Sequence, residues 1–111
     1  MANRRKNKNR DILTPEETGK TIGGNLSFAA AEAYKLLRTN LNFSLPDVEG
    51  CKIIGVTSAL RGEGKSTTAV NIAYTMAQTG QKVLLLEADM RLPTLSKRLR
   101  VAAAPGLSNL L

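Results

Sequence analysis

A chain of 111 residues with 42% hydrophobic residues has the size and apolar content of one small globular domain or part of a larger one, and its 4% aromatic content and lack of Trp require an aliphatic core. It holds no His, which excludes histidine catalysis and histidine metal sites, and its single Cys, Cys51, has no internal disulfide partner. The formal charge of +7 sits mostly at one end, where Arg4, Arg5, Lys6, Lys8 and Arg10 precede the first acidic residue, Asp11, so the rest is close to balanced and no nucleic-acid partner is expected.

Residues 1–25 read as a basic flexible leader closing on the linker pair Gly23-Gly24, and residues 26–111 as the folded part. No apolar run approaches the roughly 20 residues that span a bilayer, and the basic start lacks the apolar stretch of a secretory signal. A cytoplasmic protein is the expectation. From the N-cap candidate Ser27, residues Phe28 to Leu41 place Ala33, Leu36, Leu37 and Leu41 at helical spacing, which predicts an amphipathic helix followed by a loop from Asn42 to Gly50.

Residues 52–57 form a short β-branched run without alternation, the pattern of a parallel strand buried on both faces. A glycine-rich turn follows at once, then a predicted helix from Lys65 to Gln78 with Ala69, Ile72, Ala73, Met76 and Ala77 on its inner side and Gly80 as its stop. A second strand is predicted at Val83 to Leu86, a short helix near Thr94 to Leu99, and a turn opening a further helix at Pro105-Gly106-Leu107-Ser108. Strand, helix and strand in this order make a βαβ unit, an α/β fold whose ligand belongs beyond the carboxyl ends of the strands. Two buried strands do not complete a sheet, so the expectation is a truncated domain.

Ala59-Leu60-Arg61-Gly62-Glu63-Gly64-Lys65-Ser66 fits the P-loop pattern with Ala at its first position. In such a loop Gly62 and Gly64 let the backbone amides of Ala59, Arg61, Glu63 and their neighbours curl around phosphate oxygens, and the following helix adds its positive end. Lys65 then reaches the β- and γ-phosphates, Ser66 can ligate Mg²⁺, and Thr67 can donate to the α- or β-phosphate. Glu87 and Asp89 end the second predicted strand at the same level and would face the same magnesium, with Asp89 as metal ligand and Glu87 as base or hydroxyl positioner. Taken alone, the pair reads equally well as strand-end charges with no catalytic duty.

Together, "TSALRGEGKSTTAVNIA" and "VLLLEADMRLPTLS" resemble the bacterial tyrosine kinases that regulate capsule and exopolysaccharide synthesis, as do "EAYKLLRTNLNFS" before the loop and "PGLSNLL" after it. The resemblance covers residues 27–111 and implies a P-loop NTPase three-layer fold with a parallel sheet, of the deviant Walker A group shared with partitioning ATPases. It implies ATP and Mg²⁺ as ligands, and catalytic roles for Lys65, Glu87 and Asp89, although Glu87 stands where the family has Asp and is longer by a methylene. A further departure is Arg61, where the family often has Pro. Glu32, Lys35 and Arg38 match the family's Glu-x-x-Arg-x-x-Arg motif, with Lys for the first Arg, and so imply a homo-oligomeric ring; without the resemblance they read as a solvated helix face.

The family's Walker B strand and tyrosine-rich tail are not in these residues, so the chain alone is expected to bind nucleotide poorly and not to catalyse, with protein tyrosines as substrates of the complete kinase. The resemblance also implies a separate transmembrane activator, a polysaccharide co-polymerase, and a location at the inner face of the membrane, which the basic leader could reinforce by binding anionic lipid. The nearest competing reading is a partitioning ATPase, whose early second lysine is replaced here by Leu60. A more distant one is a non-catalytic nucleotide-binding adaptor.

Overall fold

The computed structural model of the chain describes residues 22–47 and 49–110. The basic residues of the predicted leader lie outside them. Among the described residues four α-helices form, α1 Phe28–Ser44, α2 Lys65–Ala77, α3 Leu95–Leu99 and α4 Leu107–Leu110, preceded by a 3-10 turn at Gly23–Asn25.

Helix α1 starts where its cap predicts. The Ser27 hydroxyl accepts a hydrogen bond from the Ala30 amide at 3.2 Å, satisfying one of the donors that a helix start leaves open. It runs past the predicted end, through Asn42 to Ser44, and stops when Leu45 swings to φ −74°, ψ 138°. That stop has a steric cause, since Pro46 disfavours helical geometry at the residue before it.

Of the apolar positions predicted for one face of α1, only Leu41 turns inward. Leu36 is 64% exposed and Leu37 and Ala33 are exposed as well, whereas Ala31, Tyr34, Arg38, Leu41 and Leu45 form the half-buried stripe. Arg38 explains the rotation. Its Nη1 donates to the Thr75 carbonyl of α2 at 2.6 Å and lies 3.2 Å from the Thr75 hydroxyl, so the helix pair meets along a line set by this charge-assisted bond.

Helix α2 is rotated to match. Of its predicted inner residues only Met76 is fully buried; Ala69, Ile72 and Ala73 are half-buried and Ala77 is exposed, while Val70, Asn71 and Thr75 take the interior. Asn71 is the most buried side chain of these, and its Oδ1 accepts from the Gly23 amide at 2.8 Å, a buried donor that would otherwise lack a partner. The Gly23-Gly24 pair, read from sequence as linker, is therefore docked on α2. A Cβ on Gly23 would lie 3.4 Å from the Tyr74 ring, and Gly23 has φ 60°, so glycine serves here for both space and backbone. Helix α2 ends over Gln78 to Gly80, with Gly80 at φ 82° as the predicted stop.

The two predicted strands are not formed. Among the described residues, 52–57 and 83–86 carry neither ladder nor helix, and Ile53 and Leu84 are 89% and 86% exposed. A strand satisfies its backbone only through a neighbour, and these two segments do not pair with each other. Helices α3 and α4 occupy their predicted places, α4 opening on a Gly106 amide that donates to Asn109 Oδ1.

Candidate functional site

The glycine-rich turn has two residues in the left-handed region of backbone conformation. Gly62 and Gly64 sit at φ 79° and 85°, in the left-handed region that side chains resist, and a Cβ on either would meet nothing within 4 Å, so glycine serves here for backbone conformation and not for space. Gly64 is the N-cap of α2, and the first intrahelical bond runs from the Thr68 amide to the Gly64 carbonyl at 2.9 Å. The amides of Lys65, Ser66 and Thr67 thus have no acceptor within the helix. Two side-chain contacts shape the entry to the turn: Ser58 Oγ donates to the Leu60 carbonyl at 2.8 Å, and the Leu60 amide donates to Glu63 Oε2 at 3.3 Å. Ala59, Arg61 and Glu63 are exposed along it, and Lys65, Ser66 and Thr67 are half-buried at its end.

Lys65 and Asp89 meet. The ammonium lies 3.7 Å from Asp89 Oδ2, with both side chains more than a third exposed, so the pair is loose and screened by water. The other carboxylate oxygen accepts from the Leu92 amide at 3.1 Å and the Arg91 amide at 3.2 Å. The Leu92 bond is the main cause that holds the Asp89 carboxyl below its ordinary value; partial desolvation opposes it, and the Arg91 amide and Lys65 add to it. Asp89 is therefore ionised throughout the neutral range.

Glu87 has a different task in this arrangement. Its Oε1 accepts from the Thr94 amide at 2.8 Å, and both oxygens lie 3.3 Å from the Leu95 amide, so the carboxylate caps α3 where the Thr94 side chain makes no capping bond. The structure thus joins Lys65 with Asp89 and commits Glu87 to the start of α3. Arg38 of the predicted oligomer motif is bound to Thr75, while Glu32 and Lys35 pair with each other at 3.0 Å on the outer surface. A contact that sequence reasoning missed joins Arg98 to the loop helix: its Nη1 donates to Thr67 Oγ1 at 2.8 Å.

The donor set suits a hard cation shared with phosphates. Among the described residues no group of three or more Cys, Asp or Glu side chains is placed to hold a metal, whereas a Ser hydroxyl and one carboxylate beside a phosphate loop are the few protein ligands that Mg²⁺ takes when phosphate and water supply the others.

Residues 51–102 match the family model of the AAA domain, a stretch that contains the glycine turn, Lys65 and Asp89. The chain is 44% identical over 81 residues to tyrosine-protein kinase YwqD of Bacillus subtilis (strain 168), an overlap of 73% of this chain and 34% of the relative. It is 40% identical over 81 residues, 72% of this chain and 34% of the relative, to tyrosine-protein kinase CpsD of Streptococcus agalactiae. Over 62 residues, 56% of this chain and 26% of the relative, it is 45% identical to tyrosine-protein kinase CpsD of Streptococcus pneumoniae serotype 4 (strain ATCC BAA-334 / TIGR4). The chain is thus related to the bacterial tyrosine kinases, as its motifs indicate, and it spans about a third of the length of the first two of these relatives, 34%. No solved structure matches it closely enough to be compared.

Proposed function

We propose that the chain is the N-terminal part, residues 26–111, of the catalytic domain of an ATP-dependent, autophosphorylating protein-tyrosine kinase of capsular or exopolysaccharide synthesis. The observation that carries this reading is the loop itself: two glycines at positive φ deliver Lys65 to the first position of α2, with Asp89 at 3.7 Å, inside a stretch 44% identical to a tyrosine-protein kinase.

In this reading the amides from Ala59 through Thr67 cradle the ATP phosphates, with Arg61, Gly62, Glu63 and Gly64 forming the turn. Lys65, now 3.7 Å from Asp89, would hold the β- and γ-phosphates, and Asp89 and Ser66 would be the protein ligands of Mg²⁺. A bound magnesium neutralises phosphate charge and aligns the oxygens. The chain's own contribution is position and charge, which is most of what phosphoryl transfer to a tyrosine hydroxyl demands. Glu87, with its carboxylate on the Thr94 and Leu95 amides, serves as a positioning residue for α3.

Residues 52–57 and 83–86 enter a parallel sheet when further strands are present to pair with them. In the assembled kinase, Glu32 and Lys35 are the exposed members of the ring-forming motif, and Arg38 supports them from behind by holding α1 on α2. The substrates are protein tyrosines, the activator a separate membrane-spanning co-polymerase, and the location the cytoplasmic face of the membrane. Among the described residues no helix is long and apolar enough to cross it.

The test is phosphotyrosine formation by the full-length protein with Mg·ATP. Asp89→Asn is expected to lower it by about 100-fold or more, the usual scale for losing one preorganised electrostatic group. ATP hydrolysis with no phosphotyrosine in the unmodified protein would favour the partitioning-type ATPase instead.

A further inference from the structure

We infer that Arg98 is a second cation of the phosphate site, acting on the nucleotide directly and through the hydroxyl of Thr67; this rests on the P-loop reading above. Helix α3 is fixed at its start by Glu87 and by Leu95, which is 8% exposed. From this anchored turn Arg98 reaches across 31 positions of sequence to Thr67, the residue after the magnesium-binding serine, and donates to its Oγ1 at 2.8 Å.

Two features of that bond point to a ligand rather than to simple packing. A hydroxyl has one hydrogen and two lone pairs; with Arg98 on a lone pair, the Thr67 hydrogen stays available to an acceptor, and a phosphate oxygen in the loop is the acceptor this proposal gives it. The guanidinium spends one of its five N–H donors on Thr67, and among the described residues no carboxylate forms an ion pair with it, unlike Lys65, which has Asp89. Its charge is also held near the positive end of α2, where a cation is disfavoured until an anion arrives. A nucleotide diphosphate or triphosphate resolves both conditions. Thr67 lies where the α- and β-phosphates are expected, which ADP and ATP share, so Arg98 should favour the two equally, whereas Lys65 reads the γ-phosphate as well.

Affinities of the full-length protein for MgADP and MgATP, each measured at low and high salt, test this. Arg98→Ala is expected to weaken both by a similar factor, about 3- to 10-fold, and to flatten their dependence on salt, because a cation facing phosphate has been removed. Arg98→Gln keeps a donor for Thr67 without the charge and should show the same flattened salt dependence, which a merely structural role would leave unchanged. In a Thr67→Val background, Arg98→Ala should cost less than it does alone. Unchanged affinities in both Arg98 variants, with binding still lost in Lys65→Met, would overturn the role of Arg98 and leave the phosphate site standing. Retained binding in Lys65→Met would remove the site itself, and the role of Arg98 with it.

Discussion

The α1–α2 pair and the two segments at 52–57 and 83–86 were equally apparent as regular elements in the sequence, yet only the first pair forms. Helices close their hydrogen bonds within four residues, so α1 and α2 need only a cap and a packing partner: Ser27, Arg38 and Asn71 supply the polar anchors, and Val70 and Met76 the buried apolar ones. Strands depend wholly on neighbours, and the described residues offer them none. The glycine turn shows that the phosphate loop's geometry belongs to the first kind, since Gly62 and Gly64 adopt their left-handed values beside a strand that has not formed.

The sharpest way to press this contrast is Ile53→Ala. At 89% exposure in this chain the change should alter stability by less than about 0.5 kcal/mol, while in the full-length protein, with the sheet in place, it should cost about 2–5 kcal/mol. Denaturant unfolding of both forms measures the difference, and a small effect in the full-length protein would remove the sheet assignment. On the helical side, Asn71→Ala strands the Gly23 amide and should cost about 1–3 kcal/mol in the same experiment. An insignificant loss there would mean that the turn at Gly23–Asn25 is not held by this bond.

A smaller effect concerns acid. The Asp89 carboxyl lies below its ordinary value of 3.8 in the folded chain, so the stability it contributes is complete above that value and is lost as the pH falls through its lowered one. Thermal unfolding compared between pH 6 and pH 3 should therefore fall more steeply in the unmodified protein than in Asp89→Asn. Equal slopes would show that the Leu92 and Arg91 amides do not favour the ionised form.

How much of this was legible follows from the range of each interaction. Ser27 as cap, Gly80 as stop and the loop from Ala59 to Thr67 are local signals, and the helix boundaries and glycine conformations agree with them. The inward faces of α1 and α2 were misread because apolar periodicity favoured Leu36 and Leu37, whereas the contact is set by a charged residue, Arg38, on a backbone carbonyl far along the chain. Glu87 on the Thr94 amide and Arg98 on Thr67 were invisible for the same reason: neither pairing has a characteristic spacing, and each exists only once α3 has been placed.

The most direct test of the whole account is a titration of MgATP into the full-length protein and its Lys65→Met variant. Loss of measurable binding in the variant, with its fold retained by circular dichroism, is the predicted result. Equal affinity in the two proteins would contradict it, because no phosphate could then be seated between the glycine turn and that ammonium.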